Sequence, residues 1–202
     1  MSIYDLNKLY EAVTSEKLDI AVVSYGGSST NTLIDRLEKN GYKCHSPVYD
    51  NLLCHCPEPV DLDIPIIYIF RNPIEALLSM KRRGKNYWDI NQCKLSNSLT
   101  QKYSDRNLLH LMIQQFNKWT SCDYNNILFL RYDEIFKPGV VDLLKKFLKN
   151  DNLLHFPINF IPPHITNNIV KTIDQRLHNL FDEYEDDIKK INDFPTKINK
   201  NK

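Results

Sequence analysis

The stretch Ile-Ala-Val-Val-Ser-Tyr-Gly-Gly-Ser-Ser-Thr-Asn at residues 20–31 decides the fold. Its first five residues are mostly apolar and β-branched, which predicts a short buried strand. Two glycines and three hydroxyl-bearing residues follow, and apolar residues then recur at helical spacing until Asn40-Gly41, a typical helix stop. The chain has only five glycines, so an adjacent pair here indicates a tight turn from strand to helix.

A second stretch, Ile-Pro-Ile-Ile-Tyr-Ile-Phe at residues 64–70, is apolar throughout, so that both faces of a strand formed here would be apolar. This pattern predicts a central strand of a parallel sheet that is covered by helices on both sides. Asn72 and Pro73 then open a helix, because asparagine is a favoured N-cap and proline is tolerated at the first helical position. We expect this helix to run to about Arg83 and to end at Gly84.

Strands alternate with helices along the rest of the chain. The other predicted elements are helices at residues 5–15, 108–119, 140–148 and 165–191 and strands at residues 42–45 and 127–130. The alternation predicts an α/β protein with a mostly parallel central sheet. We expect a single domain over residues 1–194, followed by a flexible basic tail at residues 195–202.

Composition excludes several classes of protein. The chain has 202 residues and a net charge of +1, so it lacks the basic excess of a protein that coats nucleic acid. No apolar run approaches the roughly 20 residues of a membrane span, and residues 1–10 carry no apolar signal core. We therefore expect a cytoplasmic protein.

The five cysteines are an odd number, and with no secretory signal we expect reduced thiols. Cys54 and Cys56 are separated by one residue, whereas zinc knuckles place two to four residues between their cysteines. Buried structural thiols therefore explain this cluster, which includes Cys44, better than a metal site does. The sequence predicts no metal.

The glycine-rich turn is a candidate anion site. Backbone N–H groups at the start of a helix bind anions, and glycines let the chain approach a phosphate closely. A plain strand-to-helix turn with a hydroxyl cap explains the same residues equally well. The turn lacks the lysine of a Walker A motif. The candidate binding residues are Gly26, Gly27, Ser28, Ser29, Thr30 and Asn31.

Arg71 follows the second strand directly, at the edge of the sheet where α/β proteins bind ligands. A guanidinium suits bidentate recognition of a phosphate. Ser79 lies about two turns into the helix that follows. The alternative for Arg71 is a structural ion pair with a carboxylate near the edge of the sheet.

Together these stretches resemble the sulfotransferases that use 3′-phosphoadenosine 5′-phosphosulfate (PAPS). In that family a Y-P-K-S-G-T-T loop holds the 5′-phosphosulfate, and residues 25–31 stand in its place. The 3′-phosphate is held by R-[DN]-P and a serine eight residues after the arginine, which residues 71–73 and Ser79 match. Residues 127–135 with Pro138 resemble the family's strand and Y-E-D-L segment.

The resemblance covers roughly residues 18–150 and implies a P-loop NTPase-like architecture of three layers. It further implies that PAPS is the donor, that its desulfated form PAP is the product, and that Tyr132 contacts the adenine. The chain departs from the family at the loop lysine, which is Gly27, and at an aromatic residue that is Thr32. It also has no counterpart of the family's downstream R-K-G segment. Nucleotide binding is therefore better supported than transfer.

The family's catalytic histidine lies in a T-H-L-P segment between the two phosphate motifs. His55 in His-Cys-Pro is the closest counterpart, and His45 in His-Ser-Pro is a second candidate. A neutral imidazole could take the proton of an acceptor hydroxyl or amine. Either histidine could also be a loop residue without a chemical role.

Three functions follow as hypotheses. The first is a PAPS-dependent sulfotransferase that acts on a small molecule or a glycan. The second is a nucleotide-binding module of the same fold that has no transfer activity. The third is a P-loop kinase or NTPase. We expect residues 85–105 and 151–170 to form the acceptor side.

Overall fold

The computed structural model describes residues 11, 13–15, 17–44, 52–84, 104–153 and 175–199. The strands are β1 (Ala21–Ser24), β2 (Ile66–Phe70), β3 (Ile127–Arg131) and β4 (Lys197–Ile198). The helices are α1 (Thr30–Lys39), α2 (Pro73–Arg82), α3 (Asp105–Thr120), α4 (Val140–Leu148), α5 (Gln175–Glu183) and α6 (Glu185–Asp193). Short 3₁₀ turns lie at Leu52–His55 and Tyr132–Phe136, and residues 11 and 13–15 are helical.

In this part of the chain the strands form one sheet in the order β1-β2-β3-β4. β1 pairs with β2 and β2 with β3 in parallel, while β4 runs antiparallel to β3. The α/β class and the mostly parallel sheet predicted from the sequence are confirmed. Because Ser24 pairs with Ile69 and Phe70 pairs with Arg131, the carboxyl ends of the three parallel strands meet at one edge.

Helices cover both faces of the sheet. On one face, Tyr68, Phe70 and Phe129 pack in a cluster with apolar residues of α2, α3 and α6. On the other face, Ile67, Leu128 and their neighbours pack with apolar residues of α1 and α4. Every residue of β2 is buried, as expected for a strand covered on both sides. The arrangement is compatible with a fold of three layers.

The start of α2 follows the prediction closely. The Asn72 side chain accepts hydrogen bonds from the backbone N–H groups of Ile74 and Glu75, and Pro73 is the first helical residue. This cap satisfies N–H groups that would otherwise lack a partner. It also fixes the direction in which the chain leaves β2, and thereby the position of Arg71.

Two elements differ from the sequence prediction. Residues 42–44 form no strand, because the Lys43 N–H and C=O are hydrogen-bonded to Asp19 rather than to the sheet. The predicted helix at residues 165–191 lies outside the described residues up to residue 174, and beyond it the helix is interrupted at Tyr184. The acidic residues 185–187 form the first turn of a new helix, where they complement its dipole.

The predicted tail also contributes to the sheet. Lys197–Ile198 forms β4, and the Asn199 N–H donates to the Ile127 carbonyl at 2.8 Å. The Arg131 N–H donates to Thr196 Oγ1 at 3.0 Å. The sequence did not predict this edge strand, because its residues are lysine-rich and it is held by backbone pairing rather than by apolar burial. No helix among the described residues is long and apolar enough to cross a membrane.

Candidate functional site

The three parallel strands deliver three predicted site segments to one edge of the sheet. Tyr25 and the glycine turn follow β1, Arg71 follows β2, and Tyr132 follows the last residue of β3. Since the strands are parallel and in register, these residues come together although they are far apart in sequence. The carboxyl edge of a parallel sheet is where α/β proteins bind ligands.

The glycine turn has a left-handed backbone. The φ angles of Gly26, Gly27 and Ser29 are 96°, 64° and 55°, values that favour glycine at the first two positions. The turn is braced from within, because the Ser24 and Thr30 hydroxyls lie 2.7 Å apart and the Gly26 N–H donates to Ser24 Oγ. Ser28 Oγ donates to the Gly26 carbonyl. The predicted hydroxyl donors Ser28 and Thr30 are therefore engaged within the loop.

The backbone N–H groups at the start of α1 differ from these hydroxyls in their hydrogen bonding. Among the described residues, no hydrogen-bond acceptor meets the N–H groups of Ser28, Ser29, Thr30 or Asn31. Ser29, at the N-cap of α1, makes no side-chain cap hydrogen bond either. Unpaired N–H groups at a helix N-terminus attract an anion through their own donors and the helix dipole.

Gly27 packs directly against α2. A Cβ atom built at this position would lie 2.5 Å from the Ala76 carbonyl oxygen and 2.9 Å from its Cα. Backbone atoms in the middle of a helix cannot move aside cheaply, so a side chain is excluded here. The backbone of the loop therefore lies directly against the backbone of α2 at this position.

Tyr25 joins the glycine turn to Arg71. Its side chain is fully buried, and its hydroxyl accepts the Arg71 N–H at 2.8 Å while donating to the Arg71 carbonyl. Burial raises the pKa of this phenol above its ordinary value, so the hydroxyl stays protonated and able to donate. Tyr25 therefore fixes the Arg71 backbone relative to the loop.

Replacing Tyr25 with phenylalanine should destabilise the protein by about 1–3 kcal/mol, because it leaves buried backbone groups of Arg71 without partners. Thermal unfolding measures this effect, and a lowered melting temperature is expected. The matched control is Tyr132→Phe, whose hydroxyl makes no hydrogen bond with the described residues. If both variants unfold at the same temperature, Tyr25 does not hold Arg71.

The Arg71 guanidinium is enclosed by three groups. Its side chain is 7% exposed, Nη1 donates to the Gly27 carbonyl at 3.2 Å, and Nη2 pairs with the Glu75 carboxylate. Its carbon Cζ lies 4.1 Å from the centroid of the Tyr132 ring, within the range of a cation–π contact. Nε is buried without a partner. The structural alternative for Arg71, an ion pair with a carboxylate, is thus present.

A cleft of about 330 Å³ opens beside Arg71. Tyr132 forms part of its wall, and the Arg71 guanidinium lies over one face of the ring. Ser79 is half-buried on α2 and does not line this cleft. The residues that do are Phe70, Arg71, Asn72, Glu75, Arg131, Tyr132, Asp133, Ile191 and Asn192. Arg71 therefore lines the cleft and also contacts the glycine turn, through the Gly27 carbonyl.

His55 lies against the end of β1. Its ring is buried, and Nδ1 is 3.0 Å from the Ser24 carbonyl oxygen. Because a carbonyl only accepts, Nδ1 carries a proton in this hydrogen bond. Gln115 braces the same region by donating to the Cys56 carbonyl at 2.7 Å. His45 and both predicted acceptor-side segments lie wholly or almost wholly outside the described residues.

The cysteines beside His55 behave as structural thiols. Cys44, Cys54 and Cys56 are buried, as predicted. Burial raises the pKa of the Cys44 and Cys56 thiols to about 12, which keeps both protonated at neutral pH. Within the described residues, no group of three histidine, cysteine or acidic side chains could hold a metal ion.

The cleft contains residues that the sequence did not single out as binding residues. Glu75 is four residues after Arg71 on α2, and its spacing was a usable signal for an ion pair. Arg131 stands directly before Tyr132 at the end of β3, beside β2. Asn192 comes from α6, and no sequence signal connected it to this edge.

Comparison with models of known protein families gives no match, and a search of curated proteins finds no significantly similar sequence.

Proposed function

We propose that this chain binds PAPS and PAP at the carboxyl edge of its sheet, in a P-loop NTPase-like fold. One observation carries the proposal: Arg71 lines the cleft beside Tyr132 and also donates to the carbonyl of Gly27, in the loop that leads into α1. Two adjacent places suited to anions fit a nucleotide that carries two separate phosphate groups. PAP is such a nucleotide, with one phosphate on each side of its ribose.

The residues present fit this ligand in a definite way. The amides of residues 28–31 would hold the 5′ group, where Gly27 lets the backbone approach closely. Arg71 would hold the 3′-phosphate, and Tyr132, which lines the cleft, would contact the adenine. When bound, PAPS supplies an activated sulfuryl group.

Glu75 competes with a phosphate for Arg71. Its carboxylate pairs with Nη2, yet its side chain is 46% exposed while that of Arg71 is 7% exposed. The carboxylate can therefore turn toward solvent on its helix, whereas the guanidinium is held by the Gly27 carbonyl and the Tyr132 ring. Phosphate binding is expected to replace the Glu75 contact.

Transfer itself is the further step of the proposal. His55 would act as the general base, taking the proton of an acceptor hydroxyl or amine on Nε2 while Nδ1–H stays bonded to the Ser24 carbonyl. The absence of a side chain at Gly27 favours the alternative of a nucleotide-binding module without transfer activity. A P-loop kinase or NTPase is the third candidate, and ATP tests it.

Titration calorimetry with PAP and 5′-AMP tests the proposal. A charge-assisted contact to the 3′-phosphate is worth about 1.5–3 kcal/mol, and every 1.4 kcal/mol is about tenfold in affinity. Unmodified protein should therefore bind PAP at least about tenfold more tightly than 5′-AMP, and more tightly than ATP. Arg71→Gln should remove the difference, and Glu75→Gln should strengthen PAP binding.

The comparison of ligands on unmodified protein does not depend on whether a variant folds. Equal affinity for PAP and 5′-AMP would contradict the assignment of Arg71 to a 3′-phosphate. Preference for ATP would favour the kinase or NTPase alternative. Tight binding of PAP without sulfate transfer to phenols, amines or sugars would favour the binding module.

A further inference from the structure

The two arginines of the cleft differ in what they can offer a ligand. Both η nitrogens of Arg71 are engaged, its unpartnered Nε is buried, and its side chain is 7% exposed. The side chain of Arg131 is 38% exposed. Both residues line the same cleft, since Arg131 pairs with Phe70, the residue before Arg71.

Arg131 is also held in place without being saturated. Its Nη1 donates to the Asn192 carbonyl at 2.8 Å, and its Nε lies 3.2 Å from Asp133 Oδ1. Among the described residues Nη2 has no hydrogen-bond partner. The guanidinium is therefore oriented by two neighbours while one of its donors stays available in the cleft.

We infer that Arg131 is a binding residue for the 3′-phosphate of the ligand, acting beside Arg71; this inference rests on the proposed function. The Arg131 Nη2 donors can serve a phosphate in the cleft, because the side chain is 38% exposed and this nitrogen has no partner among the described residues. Arg71 contributes once Glu75 has turned away. Two guanidinium groups also offset the two carboxylates of the cleft, Glu75 and Asp133, which would otherwise repel a dianion.

The proposal also accounts for a missing part of the family pattern. The chain has no counterpart of the R-K-G segment that completes the 3′-phosphate site in the sulfotransferases it resembles. The last residue of β3 supplies a cation at the same edge from within the sheet. The end of α6 holds it through the Asn192 carbonyl, so α6 contributes to the cleft.

Calorimetric titration of the full chain with PAP, 3′-AMP and 5′-AMP tests this inference. Arg131→Gln should weaken binding of PAP and 3′-AMP by about tenfold, the usual effect of one charge-assisted contact. Affinity for 5′-AMP should change by less than about twofold. Arg131→Lys should restore part of the loss, because it returns the charge without the fork of donors.

Arg106→Gln is the matched control, since Arg106 is an exposed arginine paired with Glu183 on the far side of α3. It should leave all three affinities unchanged. Unchanged PAP affinity in Arg131→Gln, or an equal loss for all three nucleotides, would overturn the role of Arg131 alone. Failure of the unmodified protein to bind any of the three would overturn the proposed function together with this inference.

Discussion

Gly27→Lys should weaken PAP binding by at least about tenfold and lower any sulfate transfer, although the sulfotransferase loop that residues 25–31 resemble carries a lysine there. A Cβ at this position would lie 2.5 Å from the Ala76 carbonyl oxygen, and φ is +64°. Left-handed backbone at a residue with a side chain costs roughly 1–2 kcal/mol, and overpacking adds typically about 1–3 kcal/mol. The lysine side chain should therefore push the loop away from α2 and displace the N–H groups at the start of α1. Calorimetry and thermal unfolding measure the two effects.

Two other glycines allow the cost of backbone strain to be measured separately from the cost of a steric clash. Gly41 and Gly84 have φ angles of +87° and +96°, but a Cβ at either would meet open space. Gly41→Ala and Gly84→Ala should therefore cost only the strain, and PAP affinity should be kept. Gly27→Ala should lose both stability and affinity. A Gly27→Lys protein that binds PAP normally and transfers faster would show that the loop can accommodate a lysine.

The sheet and its principal helices could be predicted because their signals are local. Residues 66–70 are apolar on both faces, and Asn72 with Pro73 is a start signal that needs no tertiary context. β4 could not be predicted, because Lys197 and Ile198 join the sheet through the backbone of β3. The interruption at Tyr184 was hidden for a related reason: an amphipathic pattern continues across it.

The location of the site could be predicted, but its internal contacts could not. Parallel strands bring Arg71 and Tyr132 to one edge whatever their side chains do. The hydroxyl of Tyr25 and the backbone of Arg71 are 46 residues apart, and the contact of Gly27 with Ala76 depends on how α2 packs. Neither follows from spacing. The sequence therefore places the edge, and only the packing shows that Gly27 excludes a side chain.

His55 is a buried residue at the edge of the sheet, and its role as a base stays a prediction. The ring is buried at the end of β1, next to the residue that braces the glycine turn, and its Nδ1 proton is directed at the Ser24 carbonyl. In the proposed reaction a general base takes a proton on its unprotonated ring nitrogen, which for His55 would be Nε2. Gln115 donates to the neighbouring Cys56 carbonyl and so steadies the segment that carries the ring.

His55→Ala should lower sulfate transfer by about two to four orders of magnitude, the usual effect of losing a general base. PAP affinity should hardly change, because Nε2 would serve the acceptor rather than the nucleotide. Transfer of labelled sulfate from PAPS to phenols, amines and sugars gives the rate, and calorimetry gives the affinity. His110→Ala, at an exposed histidine of α3, should leave both unchanged. Equal loss of rate and PAP affinity in His55→Ala would show that the ring supports the glycine turn instead, and an unchanged rate would show that another group takes the proton.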